Sequence, residues 1–287
     1  MQTTVKILKK PITSTIIAIL CGFIVASVIL AVAGYNPFET IAVMFRGIFA
    51  RPKSITNVII KATPIIITGL SVAFAFKTGL FNIGAEGQYI AGTVAATVVG
   101  VSLNLPAIIQ IPVVILSGVA AGAILGGLVG FLKAKFGIHE VITSIMFNWI
   151  CFYLQNYIAN SAMFHKPNTT GTFPINKSGY TVVLNNWKTS KEGIRTLKNN
   201  KVLSEILLKT DLNYGIIIAI VMAILVSVLL YKTTKGFELR AVGFNPNASQ
   251  CAGINVRRNI LQSMLIAGAI SGLAGALTIT GMAPHNI

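Results

Sequence analysis

Apolar residues along this chain do not alternate with polar ones, nor recur every three or four positions; they run together in seven long stretches separated by polar connections. A hydrocarbon layer about 30 Å thick is crossed by roughly 20 apolar residues in a helix. The stretches at about 12–33, 55–76, 79–101, 107–132, 140–163, 213–231 and 259–282 meet that length. Inside lipid such a segment satisfies its backbone hydrogen bonds only as a helix or in a closed barrel. The expected fold class is therefore all-α, a polytopic transmembrane helical bundle of about seven spans, with residues 1–287 forming one transmembrane domain. The 79–101 stretch is the least regular, because Asn82, Glu86 and Gln88 interrupt its first half, and it reads as a broken or partly re-entrant helix lining a cavity.

Two connections have patterns of their own. Residues 35–54 interleave Phe38, Ile41, Val43, Met44, Phe45, Ile48 and Phe49 with polar positions, which suits an amphipathic helix lying in the membrane interface. Residues 164–212 form the longest polar segment, with Pro167, Pro174 and a helical-looking tract at 190–209, and read as a small external cap. The cap suits either a receptor-docking surface or a solvated connector.

Composition supports lipid as the solvent: 54% of residues are hydrophobic and 10% charged, against about a quarter charged in soluble domains. The net charge of +16 does not point to nucleic acid, because the basic residues gather at the ends of apolar stretches, where they set topology and meet lipid headgroups. Lys6, Lys9 and Lys10 precede the first span, Lys133 and Lys135 follow the fourth, and Lys232, Lys235, Arg240, Arg257 and Arg258 separate the sixth from the seventh. A cytoplasmic N-terminus puts all three clusters inside, while Arg46, Arg51 and Lys53 in the 35–54 connection and the lysines of the 164–212 segment fall outside and fit the rule less well. The first stretch has no clear cleavage site and reads as a retained helix. Cys21, Cys151 and Cys251 are isolated and have no metal-ligand spacing.

Ionisable groups within a bilayer are costly and serve as candidate functional groups. Lys61 lies near a helix end, within snorkelling reach of the headgroups, and Pro64 a turn later suits a kink. Glu86 stands in a segment with Gly79, Gly84 and Gly87, which permit close backbone approach, and with Asn82 and Gln88, which supply donors and acceptors. In a continuous helix Asn82 and Glu86 would share a face. A polar solute could be held there; interhelical packing with hydrogen bonds across helices is the alternative. Glu140 opens the fifth span, where a carboxylate suits a helix N-terminus, and Asn148, Gln155 and Asn156 lie deeper in it. Gly118, Gly122, Gly126, Gly127 and Gly130, with Gly268, Gly272 and Gly275, mark tightly packing helices. No phosphate-binding G-x-x-x-x-G-K-[ST] loop, H-E-x-x-H or G-x-S-x-G sequence is present. His139, His165 and His285 are scattered at span edges, which disfavours an intramembrane enzyme.

The segment 235–255, Lys-Gly-Phe-Glu-Leu-Arg-Ala-Val-Gly-Phe-Asn-Pro-Asn-Ala-Ser-Gln-Cys-Ala-Gly-Ile-Asn, resembles the cytoplasmic coupling segment of permeases from ATP-binding-cassette (ABC) importers. By that resemblance Gly236, Glu238, Arg240, Ala241, Gly243, Asn245, Ala248, Ala252 and Gly253 belong to a coupling segment, about 232–258, that docks on an ATPase subunit. The 79–88 and 140–148 segments look like those of the branch of this family that imports nucleosides and simple sugars; permeases for branched-chain amino acids share the architecture. The resemblance implies a multi-pass protein of the bacterial cytoplasmic membrane that binds no cofactor. ATP-Mg would be used by partner ATPase subunits, a second permease subunit would complete the path, and an extracellular solute-binding lipoprotein would deliver the solute. Asn82, Glu86, Gln88 and Asn148 would then be the substrate-pathway contacts. The family pattern continues with further spans after Gly281, so this chain is expected to lack the usual C-terminal helices. An ion-coupled carrier with Glu86 as proton site is the rival reading, and it would show inverted repeats, of which none is evident.

Overall fold

The computed structural model describes residues 11–287. Lys6, Lys9 and Lys10, the expected inside markers ahead of the first span, lie outside the described residues. Contacts divide the chain into two compact units, Met1–Ile55 and Thr56–Ile287. In the described residues of the first unit, α1 (Pro11–Val32) is followed by α2 (Pro37–Phe49). Asn36 starts α2 by accepting from the backbone amides of Phe38 and Glu39 at 3.0 and 3.4 Å, with Pro37 at the first helical position. Its apolar side chains, Phe38 and Phe49 among them, are exposed, as an interfacial helix requires.

After these come α3 (Pro52–Lys77), α4 (Ala85–Ser102), α5 (Ala107–Phe136) and α6 (Glu140–Ala159). The 164–212 segment holds a 3₁₀ turn (Lys177–Gly179), α7 (Asn185–Lys188), α8 (Lys191–Lys198) and α9 (Lys201–Leu203), which runs into a π turn (Ser204–Leu208). The chain then forms α10 (Gly215–Lys232), α11 (Thr234–Phe244), α12 (Pro246–Cys251) and α13 (Val256–Gly281). All regular structure among the described residues is helical. Among the described residues five helices, α1, α3, α5, α10 and α13, are long and apolar enough to cross a membrane. The other two long helices, α4 and α6, carry polar residues such as Gln88 and Asn156.

Helix α13 is the axis of the second unit; two-thirds of its apolar window is buried. Its glycines meet those of α5 at backbone contact: a Cβ on Gly122 would lie 2.3 Å from the Gly268 oxygen, and one on Gly272 would lie 2.3 Å from the Gly118 oxygen. Helix α4 closes on the same axis, since a Cβ on Gly92 would be 2.5 Å from the Gly272 oxygen and one on Gly275 would be 2.3 Å from the Tyr89 oxygen. Ile67, Phe74, Leu239, Met264 and Leu277 fill the space between this trio and helices α3, α10 and α11.

Three expectations change. The helix expected from residue 79 begins only at Ala85, because Gly79 takes a left-handed conformation (φ 77°) that ends α3, with the Leu80 amide bonded back to the Ala75 carbonyl at 3.0 Å. Asn82 therefore stands in a turn and does not share a helical face with Glu86. Helix α6 stops at Ala159, four residues short of the expected end. The 190–209 tract is broken into α8, α9 and the π turn, with Asn200 capping α9 through the Val202 and Leu203 amides.

The alternating helix directions give the second unit two ends. At one, the Lys77–Leu80 turn meets α11 and the start of α13, with Thr78 and Ser263 hydroxyls bonded to each other. At the other, the 172–183 strap crosses the end of α13: the Ile175 amide donates to the His285 carbonyl at 3.0 Å and the Thr181 amide to the Thr280 carbonyl at 2.9 Å.

The glycine seam makes a sharp prediction on one helix. A Cβ on Gly126 would sit 2.3 Å from the Met264 oxygen, whereas the nearest atom to one on Gly127 is 3.7 Å away. Gly126→Ala is expected to lower stability in detergent by about 1–3 kcal/mol, the usual cost of overpacking, while Gly127→Ala is neutral or better. Thermal melts of the two variants, followed by size exclusion, check this.

Candidate functional site

The turn between α3 and α4 is fixed from three sides. Its first residue, Gly79, touches α11, where a Cβ would come within 2.6 Å of the Gly243 Cα atom. In its middle, Asn82 is fully buried and exchanges two hydrogen bonds with Gln88: the Asn82 amide donates to Gln88 Oε1 at 2.9 Å, and the Gln88 amide donates to Asn82 Oδ1 at 3.0 Å. Asn82 also donates to Ser71 Oγ at 3.2 Å, and that hydroxyl donates to the Ala267 carbonyl at 2.6 Å. From α6, Asn148 donates to the Ile83 carbonyl at 3.2 Å and accepts from the Gly87 amide at 2.8 Å. Gly87 has no room for a side chain, since a Cβ would lie 2.6 Å from Asn148 Oδ1.

The four residues expected to contact a solute thus fall into two sets. The polar atoms of Asn82, Gln88 and Asn148 are bonded to the chain itself and fix the start of α4. Glu86, in the first turn of α4, is exposed and faces a cavity of about 480 Å³, within the usual range for small-molecule sites. Pro64, Ile65, Thr68 and Val72 of α3 form the opposite wall, and Tyr89 closes the side toward α13. The Thr68 hydroxyl donates back to the Pro64 carbonyl at 2.8 Å, and the Tyr89 hydroxyl donates to Thr278 Oγ1 at 3.1 Å. The cavity is largely apolar, with one carboxylate and a tyrosine ring among its lining groups.

Tyr89, Thr68 and Ser71 were not among the expected site residues. Tyr89 directly follows Gln88 and could have been taken from that position; Ser71 and Thr68 are small hydroxyls within an apolar stretch and give no signal of their own. Pro64, expected as a kink, lies inside the continuous α3 and lines the cavity. Lys61 is exposed. Glu140 begins α6 and pairs with Lys133 at the end of α5, while His139 caps the helix through the Val141 amide. No group of three or more metal-ligating side chains occurs among the described residues.

The expected coupling segment folds as two short helices. Thr233 caps α11 through the Gly236 amide at 3.0 Å, and Gly236 packs against the end of α10, where a Cβ would be 2.0 Å from the Leu229 oxygen. Glu238 pairs with Lys235 at 2.8 Å and accepts from Asn259 at 3.2 Å; the Lys235 ammonium holds its carboxyl below the usual range. Arg240 lies over the Tyr231 ring, 5.1 Å from its centre. Asn245 caps α12 through the amides of Asn247 and Ala248 at 3.0 and 3.1 Å. Ala248, Cys251 and Ala252 are exposed on or just after this helix, and Gly253 (φ 83°) turns the chain away. Phe244 is 87% exposed beside them, and Asn247 and Gln250 are exposed on the same short helix, so this surface joins small groups and two amides around one ring.

The chain matches the family model described as the permease component of branched-chain amino acid transport systems over residues 54–285. It is 40% identical over 262 residues to a guanosine ABC transporter permease protein of Bacillus subtilis, covering 91% of this chain and 70% of the relative. A nucleoside ABC transporter permease protein of Lactococcus lactis is 36% identical over 267 residues, covering 91% and 69% of the two chains. A glucose ABC transporter permease protein of Haloferax volcanii is 31% identical over 266 residues, covering 93% and 67%. No solved structure matches the chain.

The amide pair predicts non-additive energetics. Asn82→Leu and Gln88→Leu each leave a buried amide unpaired, at a cost of about 1–3 kcal/mol, whereas the double variant is expected to cost less than the sum. Melts in detergent should show this coupling and should leave Glu86→Gln at the wild-type value; additive single costs would mean the pair does not form.

Proposed function

We propose, from the premise that this chain belongs to the family of branched-chain amino acid transport system permease components, that it is the permease subunit of an ABC importer and moves nucleosides across the bacterial cytoplasmic membrane. The observation that supports this most strongly is the likeness over nine-tenths of the chain to guanosine and nucleoside permeases. In this reading ATP-Mg is hydrolysed by separate ATPase subunits, with which the lack of a G-x-x-x-x-G-K-[ST] sequence in this chain is in keeping.

In this reading the seven long helices all cross the bilayer and the N-terminus is cytoplasmic. Lys133, Lys135, Lys232, Lys235, Arg257 and Arg258 then fall at the inner end, in keeping with the positive-inside rule. The 164–212 cap and the end of α13 face outward. Helices α11 and α12 face the cytoplasm and dock on the ATPase, with Gly236, Glu238, Arg240, Gly243 and Asn245 shaping them and Ala248, Ala252 and Gly253 at the contact. A second permease subunit and an external solute-binding lipoprotein complete the assembly.

Glu86 is the solute contact, accepting hydrogen bonds from ribose hydroxyls or base N–H groups, and Tyr89 offers a ring beside it. Asn82, Gln88 and Asn148 act through Glu86 by holding the first turn of α4 in place. A single carboxylate in an apolar cavity gives a small number of oriented contacts, which suits capture followed by release.

Three measurements test this. Uptake of labelled guanosine, glucose and leucine in cells with and without the gene is expected to show a nucleoside-selective component that stops on ATP depletion; loss with the proton gradient alone would overturn the ABC reading in favour of a secondary carrier. Glu86→Gln should reduce nucleoside uptake at least about tenfold, the cost of one charge-assisted hydrogen bond, with normal membrane assembly. Ala248→Trp should leave assembly intact but uncouple ATP hydrolysis from transport, because the bulk blocks close docking; unchanged transport would remove α12 from the interface.

A further inference from the structure

A second cavity, of about 630 Å³, lies at the other end of the unit from Glu86. From Glu86 the helix α4 runs to Gly100, about 20 Å along its axis, where Ile175 of the strap packs against it. The cavity opens between the start of α5 at Ala107, the start of α10 at Tyr214 and the 177–187 segment. Its lining includes Lys177, Ser178, Tyr180, Asn185, Trp187 and Tyr214. Three aromatic rings thus border one space together with a cation and an amide.

The Tyr180 ring is held in place by the fold. Tyr180 stacks on His285 with ring centres 3.8 Å apart and planes 18° from parallel, and His285 Nδ1 lies 2.9 Å from the Ile279 carbonyl. Burial pushes the His285 imidazole below the usual histidine range, so the ring that backs Tyr180 is neutral near pH 7. The Tyr214 amide donates to the Thr181 carbonyl at 3.4 Å, and the Val183 amide to the Leu212 carbonyl at 2.8 Å, joining the strap to the start of α10. Leu184 turns through a left-handed conformation (φ 52°), uncommon for a branched side chain, and this turn brings Asn185 and Trp187 to the cavity. Lys188, one residue on, is bonded inward to Thr210 and Asp211.

A planar heterocycle with donors and acceptors on its edge matches this combination. Stacking on aromatic side chains uses the faces of a base, and a lysine suits the O6/N7 edge of a 6-oxopurine. No carboxylate lines the cavity. Glucose and aliphatic amino acids have no aromatic face to offer.

We propose that the cavity bordered by Lys177, Ser178, Tyr180, Asn185, Trp187 and Tyr214 is an outer capture site that binds the base of a 6-oxopurine nucleoside, separate from the Glu86 cavity. The identity of the ligand rests on the nucleoside reading above; the existence of the site rests on the cavity. Solute released at the outer face is retained there by its base and then passes along α4 toward Glu86.

The test uses the intact transporter in membrane vesicles with azidoguanosine as the photoprobe. Labelling of the peptide containing Trp187, displaced by guanosine and not by ribose, is the expected result. Trp187→Ala and Tyr214→Leu should each raise the guanosine concentration for half-maximal uptake by about tenfold, the size of one base–aromatic stack, with the maximal rate within about twofold. Trp187→Phe, which keeps a ring, should restore the wild-type value and shows that loss of folding is not the cause. Guanosine uptake with neither labelling of this peptide nor a change in half-saturation overturns the site and leaves the permease reading standing. Labelling of the cavity without ATP-driven nucleoside uptake supports the site and overturns the transport reading. If the variants instead abolish binding of the purified solute-binding protein while labelling persists elsewhere, the cavity is a protein-docking surface and the proposal fails.

Discussion

Lipid gives little hydrophobic gain for bringing two apolar helices together, so the approach of α5 to α13 has to come from dispersion contacts and backbone proximity. Glycine at 118, 122 and 126 on one helix and at 268 and 272 on the other removes the side chains that would hold them apart. Helices α3, α4, α10 and α11 pack around that contact. With α13 held against α5, Gly92 and Gly275 let α4 close on the same line, and α3 and α10 pack around the result through large apolar side chains. A seam of this kind is stiff, because neither backbone can yield by changing a rotamer.

On that support the polar groups near the cavity separate into those that hold and those that face outward. Asn82 and Gln88 satisfy each other, with Ser71 and the Ala267 carbonyl completing the chain of bonds. Asn148 ties the same turn to α6. Such a network is costly if any member is lost, which suits a structural role. Glu86 has been left to the cavity, at a helix start where a carboxylate is favoured by the local dipole.

Much of the helical architecture is legible in the residues. Long apolar stretches with charges at their ends locate the seven long helices to within a few positions at most boundaries, because length and hydropathy determine what can lie in a bilayer. The glycine spacing on α5 and α13 marks a tight contact, although a spacing cannot name its partner helix. The start of α4 was placed six residues early, although the polar Asn82, Glu86 and Gln88 had marked that stretch as broken: apolar content alone does not locate the turn, and it was Gly79 in a left-handed conformation that ended α3. The partners of Asn82 were equally hidden, since Ser71 and Gln88 are brought to it by that turn and not by helical periodicity. The cap was anticipated as an element, but its contacts depend on residues 280–287, distant in sequence, and no local pattern could have shown the Tyr180–His285 stack.

The meeting of Gly79 with Gly243 brings the backbone of the α3–α4 turn directly against the backbone of α11. Most joints between helices contain side chains that can rotate and absorb a shift of an ångström. Here nothing lies between the two main chains, and the bonded hydroxyls of Thr78 and Ser263 stand beside the contact. A displacement imposed on α11 therefore has no slack to take up, and reaches the turn that holds Asn82 and Glu86 as a rigid push, like a gear tooth cut without backlash.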